Sequence, residues 1–535
     1  MSSAKTRSGS PSQRPPSKGR AVGSRAFGRQ ARRLAQREAR TRPRPDPGPL
    51  WTSPWELLRR VPRAAWLCAL VACVNAMCWS IITPPFQVPD EPEHVAYVKQ
   101  LAETGELPSK TGSFSFEEQT ALQDLHLQTV AEEPEYQTIS SRAQQEKLEH
   151  DLTSAESSPE KGGYAGVAAS QPPLYYALQA IPYSLGAGGT LLERIELMRL
   201  LSALMGGLTA LFTFMFVREA LPRARWAWAV GGLGVALVPL LGFMSGAVNP
   251  DSMLYAVSAA LFYLLARAFR RGLTRARAIV LGSVIAVGLL TKLNFVGIAP
   301  GALLGLTVLS VRAARTQGRA AYASLAIALA IALSPAWLYM IVNAATGAPA
   351  LGTVSSAITT PSGSLWREAS YIWQLYLPRL PGMHADFAGL FTARQIWFNW
   401  YVGLYGWLDT TFPGWVYDAA LIPAGLIGGL CVRELVVRVR VVRARAVELL
   451  VYGTICVGLM VLIGGDSYVR FPAFDAEFGQ ARYLLPLLPL LGIVISLAAR
   501  GAGRRWGPVL GASIIVLFLA HDVFSQLQEI ARFYG

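Results

Sequence analysis

Residues 63–94 read RAAWLCALVACVNAMCWSIITPPFQVPDEPEH, and two chemistries meet inside them. From Ala64 to Thr83 no side chain is charged. A helix of that length reaches across the ~30 Å hydrocarbon core of a bilayer. Pro84, Pro85, Pro89 and Pro92 then oppose any continuation of the helix. Asp90, Glu91, Glu93 and His94 set three carboxylates and an imidazole within five residues, directly beyond the span. The basic stretch ahead and the apolar run are both longer than a secretory signal requires. The segment is therefore expected to be an uncleaved first transmembrane helix that empties into a charged loop.

Further apolar runs follow at 195–217, 226–246, 251–268, 277–291, 295–311, 321–343, 415–432, 447–465, 483–499 and 507–524. With the first they make eleven candidate spans. Because 277–291 and 295–311 are short and close together, the expected range is 10–13. Of the 535 residues 52% are hydrophobic and 16% charged, against about 25% charged in soluble proteins. The mean hydropathy is +0.34. These values exclude a soluble globular enzyme, and the apolar content excludes a wholly disordered chain. The fold class expected is an all-α polytopic membrane protein. A tail over residues 1–62, rich in Ser, Pro, Arg and Gly, precedes a membrane domain over 63–535.

The net charge of +15 is unevenly spread. Residues 1–44 carry thirteen Lys or Arg and one acid, Glu38, whereas 84–170 hold sixteen of the 34 carboxylates. Arginines recur in alternate loops, near 218–225, 267–277, 312–319, 433–445 and 500–505. This is the positive-inside pattern, not one basic face for nucleic acid, so no nucleic-acid partner is expected. It puts the N-terminus in the cytoplasm, the C-terminus outside, and two large loops, 84–194 and 344–414, on the outer side. The aromatic patch from Gln171 to Leu185 is expected to lie along the outer interface, since a span there would reverse every later loop. All five cysteines sit in apolar runs without metal-ligand spacing and read as small buried hydrophobes.

The polar residues at the outer ends of these spans are the candidates for chemistry. A carboxylate in Pro89-Asp90-Glu91-Pro92-Glu93-His94 serves as general base, as metal ligand, or as a solvated loop charge with Asp90 near a helix cap. Asp251, in Asn249-Pro250-Asp251-Ser252, is either an N-cap or a second acid facing the Asp90 cavity. Lys292, in the turn Thr291-Lys292-Leu293-Asn294, either snorkels or holds a phosphate. Gly406-Trp407-Leu408-Asp409-Thr410 precedes another span. Arg482 and Tyr483, in Gln480-Ala481-Arg482-Tyr483, are either an interfacial anchor pair or a bidentate phosphate site.

Taken together and in order, PDEPEH, QPPLYY, NPDS, YGWLDT and QARYLLPLLP resemble the bacterial membrane family called domain of unknown function 2142. More widely they resemble the GT-C superfamily of membrane glycosyltransferases. The last motif departs from the family in carrying Ala481 where Gly is usual. The resemblance implies a GT-C-like fold whose large first outer loop carries interfacial helices. It implies transfer of a sugar from a polyprenyl-phosphate carrier to a glycan or lipid-linked acceptor, at the outer face of the bacterial cytoplasmic membrane. Asp90 and Glu91 are then the catalytic candidates, and the two would hold a divalent cation, magnesium or manganese, if one is used. Glu93, His94, Gln171, Asp251, Lys292, Asp409, Arg482 and Tyr483 are the expected substrate-binding residues. Two rivals stand beside this reading: a transporter or flippase of a lipid-linked or anionic precursor, and a non-catalytic scaffold of envelope assembly.

Overall fold

The structure, a computed structural model, describes residues 61–127, 142–156, 162–345, 365–383, 391–474 and 479–535. The expected tail lies outside these, apart from residues 61 and 62, as do residues 346–364 and 384–390 of the second large loop.

Each expected apolar run is helical. The first is α1 (Arg63–Ile82), followed by α2 (Glu91–Thr104), α3 (Phe116–Asp124), α4 (Arg142–Glu156) and α5 (Leu174–Leu185) in the first loop. Then come α6 (Leu191–Ala220), α7 (Arg225–Ala236), α8 (Pro239–Ser245), α9 (Asp251–Arg271), α10 (Arg275–Thr291), α11 (Phe295–Gln317) and α12 (Arg319–Ala345). The second loop contributes α13 (Leu365–Tyr376) and a short hairpin, β1 (Leu404–Tyr405) with β2 (Thr410–Thr411). The chain ends with α14 (Gly414–Val437), α15 (Val439–Ala444), α16 (Ala446–Phe474), α17 (Leu488–Gly501) and α18 (Gly503–Tyr534).

Nine helices among the described residues are long and apolar enough to cross a membrane, or ten if the bent pair α7–α8 is one span. The protein is a polytopic helical membrane protein. The run 226–246 is broken at Pro239, which lacks an N–H and drives Val238 to an extended conformation; the two halves meet at 57°. α10 is helical over 17 residues, at the short limit for a crossing. α5, with 12 residues, is too short to cross and packs on α2 and α6.

α6 and α9 form the centre of the bundle, with α1 and α7 against α6. α10 pairs with α12, α11 with α16, and α14 with α17. Close approach between helices depends on small residues: a Cβ on Gly297 of α11 would sit 2.8 Å from the Gly458 carbonyl of α16. The C-terminal ends of α1 and α10 and the N-terminal ends of α2, α9 and the α17 segment converge at one side, around Asp90. The opposite ends carry the arginines, where Arg270 and Arg271 clasp the buried Glu219 at 2.9 and 2.8 Å.

Candidate functional site

Asp90 adopts a left-handed conformation, φ 67° and ψ 3°, just before α2 begins. Aspartate tolerates this region better than most residues. The kink parts the side chains of Asp90 and Glu91, which neighbour each other in sequence. Asp90 Oδ2 accepts from Arg482 Nη2 at 2.7 Å, while 35% of its side chain stays exposed. Arg482 lies in a 3₁₀ turn, Ala481–Leu487, leading into α17, and only 5% of its side chain is exposed. Tyr255 of α9 donates to the Arg482 carbonyl at 3.2 Å and fixes that turn. Among the described residues Arg482 Nε has no hydrogen-bond partner.

A second ion pair stands beside the first. Lys292 Nζ, in the turn between α10 and α11, lies 2.8 Å from Asp251 Oδ1, and both side chains are buried. Asp251 is the first residue of α9 and caps nothing; its side chain goes to the lysine instead. Asn249 ties the pairs together, donating to the Pro89 carbonyl at 3.3 Å and accepting from the Asp251 N–H at 3.0 Å. Burial works against the Asp90 carboxylate, but the facing Arg482 guanidinium, its hydrogen bond and the other basic groups nearby together outweigh it. The carboxyl is held below the usual carboxylate range.

Glu91 turns inward and is fully buried. Arg199 of α6 holds it through a fork, Nε to Oε1 at 2.8 Å and Nη2 to Oε2 at 2.6 Å. The backbone N–H groups of Phe86 and Val248 each donate to Glu91 at 2.9 Å. The rest of the guanidinium donates to the carbonyls of Ser80, Thr83 and Pro84 at 3.0, 2.8 and 3.1 Å. Arg199 thus binds the end of α1 to the start of α2. Sequence reasoning overlooked it, although a lone arginine inside the run Leu197-Met198-Arg199-Leu200 is itself a signal.

The remaining first-loop residues support this site from behind. His94 Nδ1 is 3.0 Å from the Tyr176 hydroxyl, and Tyr176 stacks on Tyr97 at 3.7 Å. Burial pushes the His94 imidazole down to about 3, so it is neutral at physiological pH. Gln171 accepts from the Leu293 N–H at 3.2 Å and so steadies the Lys292 turn. Glu93 accepts from the Val167 N–H at 3.0 Å; burial and nearby Asp90 raise its carboxyl. Gly166, at φ 45°, lies against that carboxylate, and an added Cβ would run into it. Gly166→Ala is expected to cost about 1–2 kcal/mol from the left-handed backbone alone. Thermal unfolding in detergent should show a lower midpoint, and an unchanged one would show that residue 166 leaves the left-handed region without cost.

Asp409 is not part of this group. It is the last residue of the β1–β2 hairpin turn and pairs with Arg532 of α18 at 3.1 Å. Its neighbour Trp407 does reach the first loop, donating to the Phe86 carbonyl at 2.6 Å. Tyr483 lies beside Arg482, whose Cζ is 5.3 Å from the ring centre. Asp90 and Glu91 do not fit a shared divalent cation. All four Glu91 acceptor positions are filled by N–H donors, and Arg482 already faces Asp90. No group of three or more His, Cys, Asp or Glu suited to a metal occurs among the described residues.

Comparison with known proteins gives two matches. No curated protein matches the sequence. Among solved structures, the chain is similar to the crystal structure of ArnT from Cupriavidus metallidurans bound to undecaprenyl phosphate. The TM-score is 0.45 and the identity 13%, over 87% of this chain and 75% of that one. The family described as "Predicted membrane protein (DUF2142)" matches residues 73–491, from within α1 to the first turn of α17. The chain belongs to that DUF2142 family of membrane proteins.

Proposed function

We propose that the protein is an inverting glycosyltransferase that takes its sugar from a polyprenyl-phosphate carrier. It would work at the outer face of a bacterial cytoplasmic membrane, with the N-terminus inside and the C-terminus outside. The observation that carries this reading is the partly exposed Asp90 carboxylate beside the buried Arg482, with Lys292–Asp251 adjacent, all at one set of helix ends. Such a site offers a proton acceptor and two cations to one small volume at membrane-surface depth.

In the proposed step an acceptor hydroxyl oxygen bonds to the anomeric carbon. The carbon–oxygen bond to the phosphate breaks, and its electron pair leaves on the polyprenyl phosphate. Asp90 takes the hydroxyl proton. Arg482, with its free Nε, and Lys292 neutralise the departing phosphate. Glu91 acts through position: with Arg199 it sets the angle of the loop. His94, Gln171 and Glu93 hold the acceptor side in shape. A transporter would distribute such groups about the midplane for alternating access; here they gather at one face.

The test uses purified protein in nanodiscs with a panel of radiolabelled polyprenyl-phosphate sugars, following release of the free lipid phosphate. Turnover is expected with at least one donor, and is expected to persist in EDTA, because Asp90 and Glu91 do not form a metal seat. Lys292→Gln should raise the donor KM about tenfold or more, the loss of one charge-assisted contact. A folded protein with no turnover on any donor would sink the transferase reading. Loss of turnover in EDTA would overturn the metal-free step.

A further inference from the structure

The end of the bundle opposite Asp90 holds a cavity of about 450 Å³. It lies in the crevice between α14 and α16, roofed by the connecting α15 and floored by α17 and the end of α6. The crevice stays open because α14 packs on α17 while α16 packs on α11. Its floor is apolar, with Phe216, Leu490, Ile493 and Leu497. Its rim is charged: Arg223, Arg438, Arg445 and Arg500 against Glu434 and Glu448. Glu434 already holds Arg438 and Arg500, the latter at 3.2 Å. Arg445 donates to the Ala220 carbonyl at 2.9 Å and lies 3.8 Å from Glu448. Arg223 is exposed at the mouth. Four guanidiniums against two carboxylates leave a surplus of two positive charges above an apolar slot.

We infer that this cavity binds an anionic phospholipid, its phosphate among the rim arginines and one acyl chain in the slot between α14 and α16. The helices on either side face lipid, since Val436 and Leu450 beside the mouth are both exposed. A chain that moves from the bilayer into the slot leaves one apolar medium for another, so the hydrophobic effect does not select the occupant. Selection therefore falls on the headgroup. Guanidinium forks favour a phosphate monoanion whose charge no choline cancels. The surplus of positive charge distinguishes phosphatidylglycerol or cardiolipin from a zwitterionic lipid. This site is independent of the Asp90 reading.

Photocrosslinking on the full-length protein tests it. Phosphatidylglycerol and phosphatidylcholine, each with a diazirine in one acyl chain, are added to protein in mixed vesicles of the two lipids, and labelled peptides are mapped. Phosphatidylglycerol should label residues 434–449 and 490–500 at least fivefold more than phosphatidylcholine does. Unlabelled phosphatidylglycerol should compete, and inorganic phosphate should not. Arg223→Gln with Arg445→Gln should bring the preference towards unity, and Ile493→Trp, which fills the slot, should remove the label from these peptides. Equal labelling by both lipids, labels spread evenly over the lipid-facing helices, or competition by inorganic phosphate alone would each overturn the proposal. The wild-type comparison decides even where a variant fails to fold.

Discussion

Asp90→Asn is expected to reduce sugar transfer by about 10²–10⁴-fold, the usual loss on removing a general base, while the protein reaches the membrane in normal amount. The fold should tolerate the change because asparagine enters the left-handed region as readily as aspartate, and the side chain is partly exposed. The amide still offers an oxygen to Arg482 but takes no proton. In the resting site the Asp90 carboxyl is a poor base, since Arg482 and the other basic groups nearby together outweigh burial and hold it low. A donor phosphate that binds Arg482 removes that compensation, and burial then raises the carboxyl towards a useful basicity. Donor binding and base activation are thus one event in this reading. Turnover per folded molecule at saturating donor should accordingly fall as pH drops from 8 to 5, because the raised Asp90 carboxyl then takes a proton. His94, at about 3, stays neutral over this range. Folded protein should fall off on the acid side as well. His94 binds its proton more readily when unfolded, so stability is lost as pH drops below its ordinary value. Asp90→Asn with activity within threefold of wild type would remove Asp90 from the mechanism.

Much of the site was legible because its chemistry is local. The Asp90 loop, the Asn249–Asp251 turn, the Lys292 turn and the Arg482 turn each end a span, and alternation of basic loops placed all four on one side. The structure brings those four together. What the sequence hid is orientation. Asp90 and Glu91 are adjacent carboxylates, and nothing in their order distinguishes them. One positive φ sends the first to Arg482 and the second into the protein. Asp251 likewise has the residue type and position of a cap, yet its partner, Lys292, lies 41 residues on. Asp409 shares the side and the acidity, but the hairpin turn directs it to Arg532. The break at Pro239 was written in the sequence, but the apolar character on both sides of it masks the end of the helix.

Arg199→Leu is expected to be the most destabilising single change in this region, about 3–5 kcal/mol, because it leaves a buried carboxylate without its cation. Against a total stability of about 5–15 kcal/mol, most of the protein should be lost from the membrane or aggregate on extraction. Arg199→Lys should recover little. An ammonium keeps the charge but has three donors, and it cannot reach both Glu91 oxygens and three carbonyls in one plane. A buried pair that bonds only to itself is often replaced by apolar residues at no cost. This pair differs, since it also satisfies the carbonyls of Ser80, Thr83 and Pro84 and the N–H groups of Phe86 and Val248. Glu91→Leu with Arg199→Met should therefore remain destabilised, by about 1–3 kcal/mol for each buried polar group left unpaired. Thermal unfolding of the monodisperse fraction measures all three. Wild-type midpoints for Arg199→Lys or for the double variant would show that the loop needs no clamp. The contrast with Asp90→Asn then separates the two carboxylates: one change removes turnover and spares the fold, the other removes the fold that aims Asp90 at Arg482.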